Sequence, residues 1–583
     1  MTIHYVPSGG AIIQIIVEMR FHLYTEGWSF NGVYTPDYLF DLYHSSNYWH
    51  DPVTYSPNYC RINDTVLDQY LEGIKYGKSI QGPDFNWPVY PDPVTKYINS
   101  SCWAAQERFY DMVHTIPLYC VVGKKAVSKS YVGDDLYKDD SWEHFATQTA
   151  FGIDSYWTFL NGFPEGHPYG EDGHPITMNY GWSTNLAPYS LNVLYADWYQ
   201  DWLVLDKIYE TLAMRNPYDS LKIIPWMINN YSIGIWKCPG YSIYVNKGNY
   251  SKLRISLRSG IYWSDGHPLT ISDVLFSLTE SSKLLLWKGY SPTTWYYVSE
   301  HIVGYKLLDP CTLEILFNVP SYFLAEEALT SVPIIPEHIW RSIIGFGTPK
   351  PPDDFQPDPT MVGSGPFKFV SLNAGVSLEL ESNKNYFRYL PILPEFNTTT
   401  SYPRSRQDPG YPKRWKLVTV DFVVPNLWMN ATGDGYLLAD AYIYLDNSLS
   451  YSHADISIPS GQKYIVTHTF NITKCYHNLQ LSVLIKGPAT LQSSVANPWV
   501  GRWANATLPL WITIKYDYAG GKYQNEVAAP DCKMDGKDLA FAAASYLPVP
   551  PPVRIMDFTA DVNDDYKVDG KDIAWTAKFY ARW

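Results

Sequence analysis

The sequence predicts an α/β region followed by an all-β sandwich and a short helical tail. Three observations carry this. Strand-type alternation mixes with helical patterning, punctuated by Pro and Gly, up to about residue 395. Between about 415 and 520 the chain turns to β-branched and aromatic runs separated by turn residues. The last sixty residues carry a tandem repeat. At 583 residues the chain is too long for one core, which fits several domains.

Taken in order, four zones separate. Residues 1–135 mix helical patterns with short strands, and residues 136–395 hold the alternating strands and helices. After the Pro-rich stretch Thr398–Pro412, residues 413–522 contain Leu417–Val424, Ala441–Leu445, Lys463–Phe470, Leu479–Ile485 and Leu510–Tyr516. That spacing suits a sandwich of Ig-like type. Residues 525–583 form the tail.

Composition narrows the function classes. Hydrophobic residues at 46% and charged residues at 17% describe a globular chain. A net charge of −14 argues against a nucleic-acid partner and suits an extracellular protein that binds divalent cations. Aromatic residues reach 16%, with 50 Tyr and 22 Trp; such rings fill cores or line peptide and sugar clefts. The seven cysteines form no C-x-x-C pair, which disfavours a zinc site or a dense disulfide framework. Eight N-x-S/T sequons give weak support to an outside location. No apolar stretch reaches the roughly 18 residues of a membrane span, Ala11–Val17 being the longest candidate. The first residues lack the zones of a secretory leader, against the extracellular expectation.

The tail aligns Lys533–Tyr546 with Lys567–Tyr580, sharing Lys, Asp, Gly, Lys, Asp, Ala, Ala and Tyr in register. In the second copy, Asp561, Asn563, Asp565, Asp569 and Asp572 fall at loop positions 1, 3, 5, 9 and 12, with the carbonyl of Lys567 at position 7. Alternate oxygens of a tight loop wrap Ca²⁺, a hard cation taking 6–8 oxygen ligands. The loop resembles that of a dockerin, which ends in Asp; this implies Ca²⁺ and a cohesin-like partner. Position 6, usually Gly, is Tyr566. The first copy keeps Asp531, Asp535 and Asp538 but has Val527 and Ala529 at the first two ligand places, so a weaker site is expected there. Helices are expected at Leu539–Tyr546 and Ile573–Tyr580, with apolar faces.

Leu253–Val274, LRISLRSGIYWSDGHPLTISDV, predicts a strand, a turn at Ser264-Asp265-Gly266, and a helix capped by Thr270 or Ser272 with Asp273 in its first turn. The run resembles the signature of family 5 extracellular solute-binding proteins, which serve oligopeptide-type ABC transporters. Leu191–Tyr195, Ile208–Leu212, Pro225-Trp226, Val332–His338, Val362–Phe367 and Asn383–Tyr386 follow in that family's order. The resemblance spans residues 180–390 and implies a two-lobed α/β fold of the periplasmic-binding-protein type (class II), closing on a ligand and presenting it to a permease. Residues 1–135, through Gly27-Trp28, Tyr43–Ser45, Tyr59–Asp68 and Gln106–Tyr119, resemble the family's C-terminal part, so the order is inverted. A circular permutation or a tandem arrangement would account for that, as would a piece of a longer tandem chain, the alternative the residues favour.

The resemblance implies a peptide or oligosaccharide ligand bordered by Trp28, Tyr34 and Trp263, with core burial the competing role for Trp263. Phe30–Tyr34 lacks the acidic residue that pairs with a peptide amino terminus, the nearest being Asp37. No catalytic constellation stands out. His50, His114, His267 and His338 do not combine with nearby Cys, Asp or Glu at metal spacing, and there is no H-E-x-x-H, G-x-S-x-G or P-loop. A non-enzyme is expected. The alternatives are a dockerin-bearing glycan-active enzyme, whose paired carboxylates sequence cannot reveal, and a structural adhesion protein.

Overall fold

The structure is a computed structural model that describes residues 36–47, 58, 60–76, 92–113, 142–143, 156–161, 163–164, 180–181, 188, 191–194, 196, 199–216, 223–241, 245–281, 284, 296–344, 361–373, 376–388, 395–397, 417–426, 436–459, 462–471, 476–487, 501–511, 539–540, 555–561 and 565–579. Near the N-terminus, helices α1 (Thr65–Tyr76) and α2 (Asp92–Met112) pack together. Leu67, Leu71 and Ile74 recur at helical spacing on the buried stripe of α1.

The α/β lobe begins with α3 (Tyr199–Ile208), β1 (Ile228–Cys238) and β2 (Gly248–Leu257). Helix α4 (Ile271–Leu275) runs on into a wider π-helical turn, Phe276–Glu280. Then come β3 (Ile302–Asp309), β4 (Thr312–Phe317), α5 (Tyr322–Thr330) and α6 (Glu337–Ile344). In β2 every second residue (Ser251, Leu253, Ile255, Leu257) is buried, as period-2 alternation requires, while central β4 is buried throughout. One large core gathers Leu253, Ile255, Trp263, Phe276, Ile315 and Trp340. Tyr322 and Phe323 of α5 join the core of α1 and α2, so the N-terminal helices dock on the lobe.

The β unit contains β5 (Glu395–Asn397), β6 (Leu417–Pro425), β7 (Tyr436–Leu445), β8 (Ser448–Pro459), β9 (Lys463–Asn471), β10 (Tyr476–Gly487) and β11 (Trp503–Trp511). They form two antiparallel sheets, β5-β6-β9 and β8-β7-β10-β11, over one core of Val420, Phe422, Ile443, Ile456, Leu481 and Val483. The expected start at residue 413 is too late, because β5 already pairs with β6.

The tail supplies β12 (Met556–Asp557) and α7 (Gly570–Phe579). The separation expected at residue 525 does not hold in space. Strand β12 adds in parallel to β3, so the lobe's sheet runs β12-β3-β4-β2-β1, every other pairing being antiparallel. The physical reason is an open sheet edge beside a bare Gly304, over which the ring of Phe558 lies; a Cβ there would meet that ring at 2.7 Å. Phe558, Met556, Ala560 and Val568 share a core with Trp236, Cys238 and Leu316. Helix α7 starts at Gly570, ahead of the predicted Ile573. Among the described residues no helix is long and apolar enough to cross a membrane.

Candidate functional site

Among the described residues, chemistry-bearing side chains come together in the loop that carries Asp561 and Asp572 and in the turn of the 253–274 segment. The loop is set against the lobe by its own sequence. The Phe558 amide donates to the Tyr305 carbonyl (2.8 Å) and the Leu307 amide to Thr559 Oγ1 (3.1 Å). Tyr566, at the position expected to favour glycine, has φ +57°, a left-handed conformation that costs a residue with a side chain about 1 kcal/mol. Its ring packs edge-on to Trp236 with centroids 5.1 Å apart, and its hydroxyl accepts from Lys252 Nζ at 3.3 Å. Those contacts offset the strain and clamp the loop to the sheet.

Inside the loop, Asp561 is 1% exposed. Its Oδ2 accepts the Tyr566 amide (2.9 Å) and faces Lys306 Nζ at 3.4 Å, while Nζ also donates to the Asp561 carbonyl at 2.6 Å. Asp561 Oδ1 is buried and has no hydrogen-bond partner among the described residues. Burial pushes this carboxyl up, the Lys306 charge pulls it down, and nearby Asp565 raises it further. Asp572 is wholly buried, with Oδ2 accepting the Asp569 amide at 2.7 Å. Asp565 Oδ1 accepts the Lys567 amide (3.0 Å) and Asp569 Oδ1 the Lys571 amide (2.7 Å). Two buried carboxylates in one short loop, one with an orphaned oxygen, are a donor set that a hard cation satisfies. Lys306 escaped the sequence analysis because it lies 255 residues from Asp561. Asn563, Asp531, Asp535 and Asp538 lie outside the described residues.

The 253–274 segment folds as the strand, turn and helix that its sequence predicts. Thr270, not Ser272, is the cap: its amide (2.8 Å) and hydroxyl (3.1 Å) both donate to Asp273 Oδ2. Asp273 Oδ1 accepts the Glu337 amide at 2.9 Å, which ties the first turn of α6 to the first turn of α4. The turn closes through Trp263 N–H to the His267 carbonyl (2.8 Å), with Gly266 at φ +92°. Trp263 is fully buried in the lobe core, a correction to its place as a cleft residue. Trp28 and Tyr34 lie outside the described residues.

The turn also overturns the reading that His267 and His338 stand apart from acidic partners. His338 Nε2 lies 2.8 Å and His267 Nδ1 3.2 Å from the same oxygen, Asp265 Oδ2, and the two rings stack with centroids 4.4 Å apart. Burial works to raise the Asp265 carboxyl, but the hydrogen bonds of His338 and of the His267 amide hold it below the usual carboxylate range. The signal in the sequence was Asp265 and His267 two residues apart in a tight turn; His338 arrives only through folding.

Known proteins share part of this chain. Residues 242–421 match the family model described as bacterial extracellular solute-binding proteins, family 5 middle. That segment, under a third of the chain, is similar to the family 5 solute-binding type. It takes in β2 to α6, and its end reaches into β6 of the β unit. Two curated relatives are similar to the chain: a probable peptide-binding protein YejA of Agrobacterium fabrum, 26% identical over 136 residues (23% of this chain, 21% of the relative), and the oligopeptide-binding protein AppA of Bacillus subtilis, 27% identical over 154 residues (24% of each). The chain therefore matches under a quarter of the length of these relatives. The solved structure of Bacillus subtilis AppA with a nonapeptide is 18% identical, covers 44% of this chain and 47% of that chain, and superposes with a TM-score of 0.25, an overlap that fixes neither lobe arrangement nor ligand. The two curated relatives are named as a probable peptide-binding and an oligopeptide-binding protein.

Proposed function

We propose that the chain is an extracellular ligand-capturing component of an ABC-type uptake system for peptides or related solutes, and that it binds its ligand without breaking covalent bonds. The observation that carries this reading is the family 5 segment, whose strand–turn–helix is built around a cap network and a closed core rather than around a reactive group. The peptide class follows from the relatives' names. The β unit is read as Ig-like, and the tail as a dockerin-like calcium module with a cohesin-like partner. Thermal-shift screening of the full chain against peptide and oligosaccharide libraries, with mass-spectrometric product analysis, tests the central claim. A ligand that raises the unfolding temperature and is recovered intact is the expected result; turnover of a peptide or glycan would overturn it.

The calcium reading rests on the buried Asp561 and Asp572, with Asp565, Asp569, Asn563 and the Lys567 carbonyl completing the ligand set. Calorimetric titration of the full chain with CaCl₂ is expected to show at least one site. Asp561→Ala with Asp565→Ala is expected to abolish it, since two of the hard oxygen ligands go at once. Unchanged calcium binding in that double variant would refute the assignment.

A further inference from the structure

We infer that Asp265, His267 and His338 form a surface site for a borderline divalent cation of the zinc class, with an open coordination position. Two imidazole nitrogens and a carboxylate oxygen are the donors such ions take, at about 2.0–2.2 Å each. Ligand atoms around a tetrahedral ion of that radius lie about 3.3 Å apart. The nitrogens of His338 and His267 lie 2.8 and 3.2 Å from Asp265 Oδ2, and all three ligand atoms fall within 4.8 Å of one another. Small side-chain rotations therefore open the triangle to receive an ion.

The groups are also held in place, which distinguishes them from a chance surface cluster. Asp265 Oδ1 accepts the His267 amide at 3.1 Å, which turns Oδ2 toward the two rings. The turn beneath is fixed by the Ser264 amide donating to the Gly363 carbonyl at 2.9 Å. His338 sits in the first turn of α6, which the Glu337–Asp273 bond ties to the helix that follows the turn. Arg341, one turn on in α6, pairs with both Glu337 and Glu280 and adds a further tie between α6 and the segment after α4. Support of this kind beneath a ligand set keeps the cost of ordering it low. A bound ion would replace the contacts between the imidazole nitrogens and the carboxylate, each ring presenting His267 Nδ1 or His338 Nε2 as a bare nitrogen and carrying its proton on the other one. The exposed fourth position would take water or a donor atom of a small ligand.

The test uses the full chain with its calcium loop already saturated with Ca²⁺, titrated with ZnCl₂ by calorimetry and with CoCl₂ by visible absorption. One site of micromolar affinity with a tetrahedral Co²⁺ spectrum is expected. His267→Asn is expected to weaken binding at least tenfold and to erase the spectrum. Its side chain is 63% exposed, so the fold is retained, which circular dichroism verifies. His338→Asn should give the same loss. No zinc heat and no cobalt band in the native chain, or an unaltered site in His267→Asn, would each overturn the assignment.

Discussion

Gly363→Ala is expected to leave the lobe unfolded or nearly so. A Cβ at this position would lie 2.0 Å from the carbonyl oxygen of Ile208 and 2.7 Å from its carbonyl carbon, both backbone atoms at the end of α3. Nothing flexible can move aside. At the neighbouring Gly365 a Cβ would lie 2.4 Å from the Lys207 carbonyl oxygen, and the Gly365 amide donates to the Ile208 carbonyl at 2.8 Å. The two glycines thus let residues 363–365 lie flat on the helix end and satisfy a carbonyl that a helix terminus leaves open. Overpacking into side chains costs about 1–3 kcal/mol; a backbone clash of this depth should exceed about 4 kcal/mol. Gly181, where a Cβ would find no atom within 4 Å, is the control and should tolerate alanine with little change. Urea unfolding followed by tryptophan fluorescence reads both variants. Equal stabilities for the two would show that the close approach is not what the sequence protects.

The second large effect is on pH dependence. Glu210, just beyond α3, is 2% exposed. Its Oε1 accepts from Tyr156 Oη (2.6 Å), Tyr386 Oη (2.6 Å) and Trp226 Nε1 (2.9 Å). Burial pushes its carboxyl up to about 7, against the downward pull of those three donors and of the nearby Arg388 charge. Because the folded value lies above the unfolded one, the native state keeps a proton that the unfolded chain releases. The stabilisation is complete below about pH 4.5, is lost as pH rises towards 7, and is gone above it; the total is of order 3 kcal/mol. Asp273, whose carboxyl is also raised by burial, adds a slope of the same sign. Glu210→Gln keeps an oxygen acceptor but cannot titrate, so its stability between pH 5 and 8 should be flatter than that of the native chain. Parallel pH profiles for the two proteins would remove Glu210 as the source.

Both residues sit in segments whose resemblance to family 5 is visible in the sequence, Ile208–Leu212 and Val362–Phe367, yet their roles are not. A glycine in a loop looks the same whether it turns or lets two backbones touch; here the lack of room for a Cβ, which would lie 2.0 Å from the Ile208 carbonyl oxygen, settles which. A glutamate at a helix end looks solvated until Tyr156 and Tyr386 close over it from 54 residues before and 176 residues after. The alternation in β2, the cap before α4 and the runs that became β6, β7, β9 and β10 were legible because they are set by neighbours within a few residues. The tail's repeat was legible for the same reason, while its attachment to the lobe was not. Strand β12 joins β3, and Lys306 reaches Asp561, across a separation of about 250 residues.

By itself, then, the sequence determined the local elements, the loop of alternating carboxylates and the resemblance of the central segment to family 5, since each is written in short-range periodicity and spacing. Tertiary structure alone decided that Trp263 is core, that the tail completes the lobe's sheet, and that two histidines share one carboxylate. Those outcomes depend on which distant surfaces meet when apolar area is buried, and no local propensity carries that information.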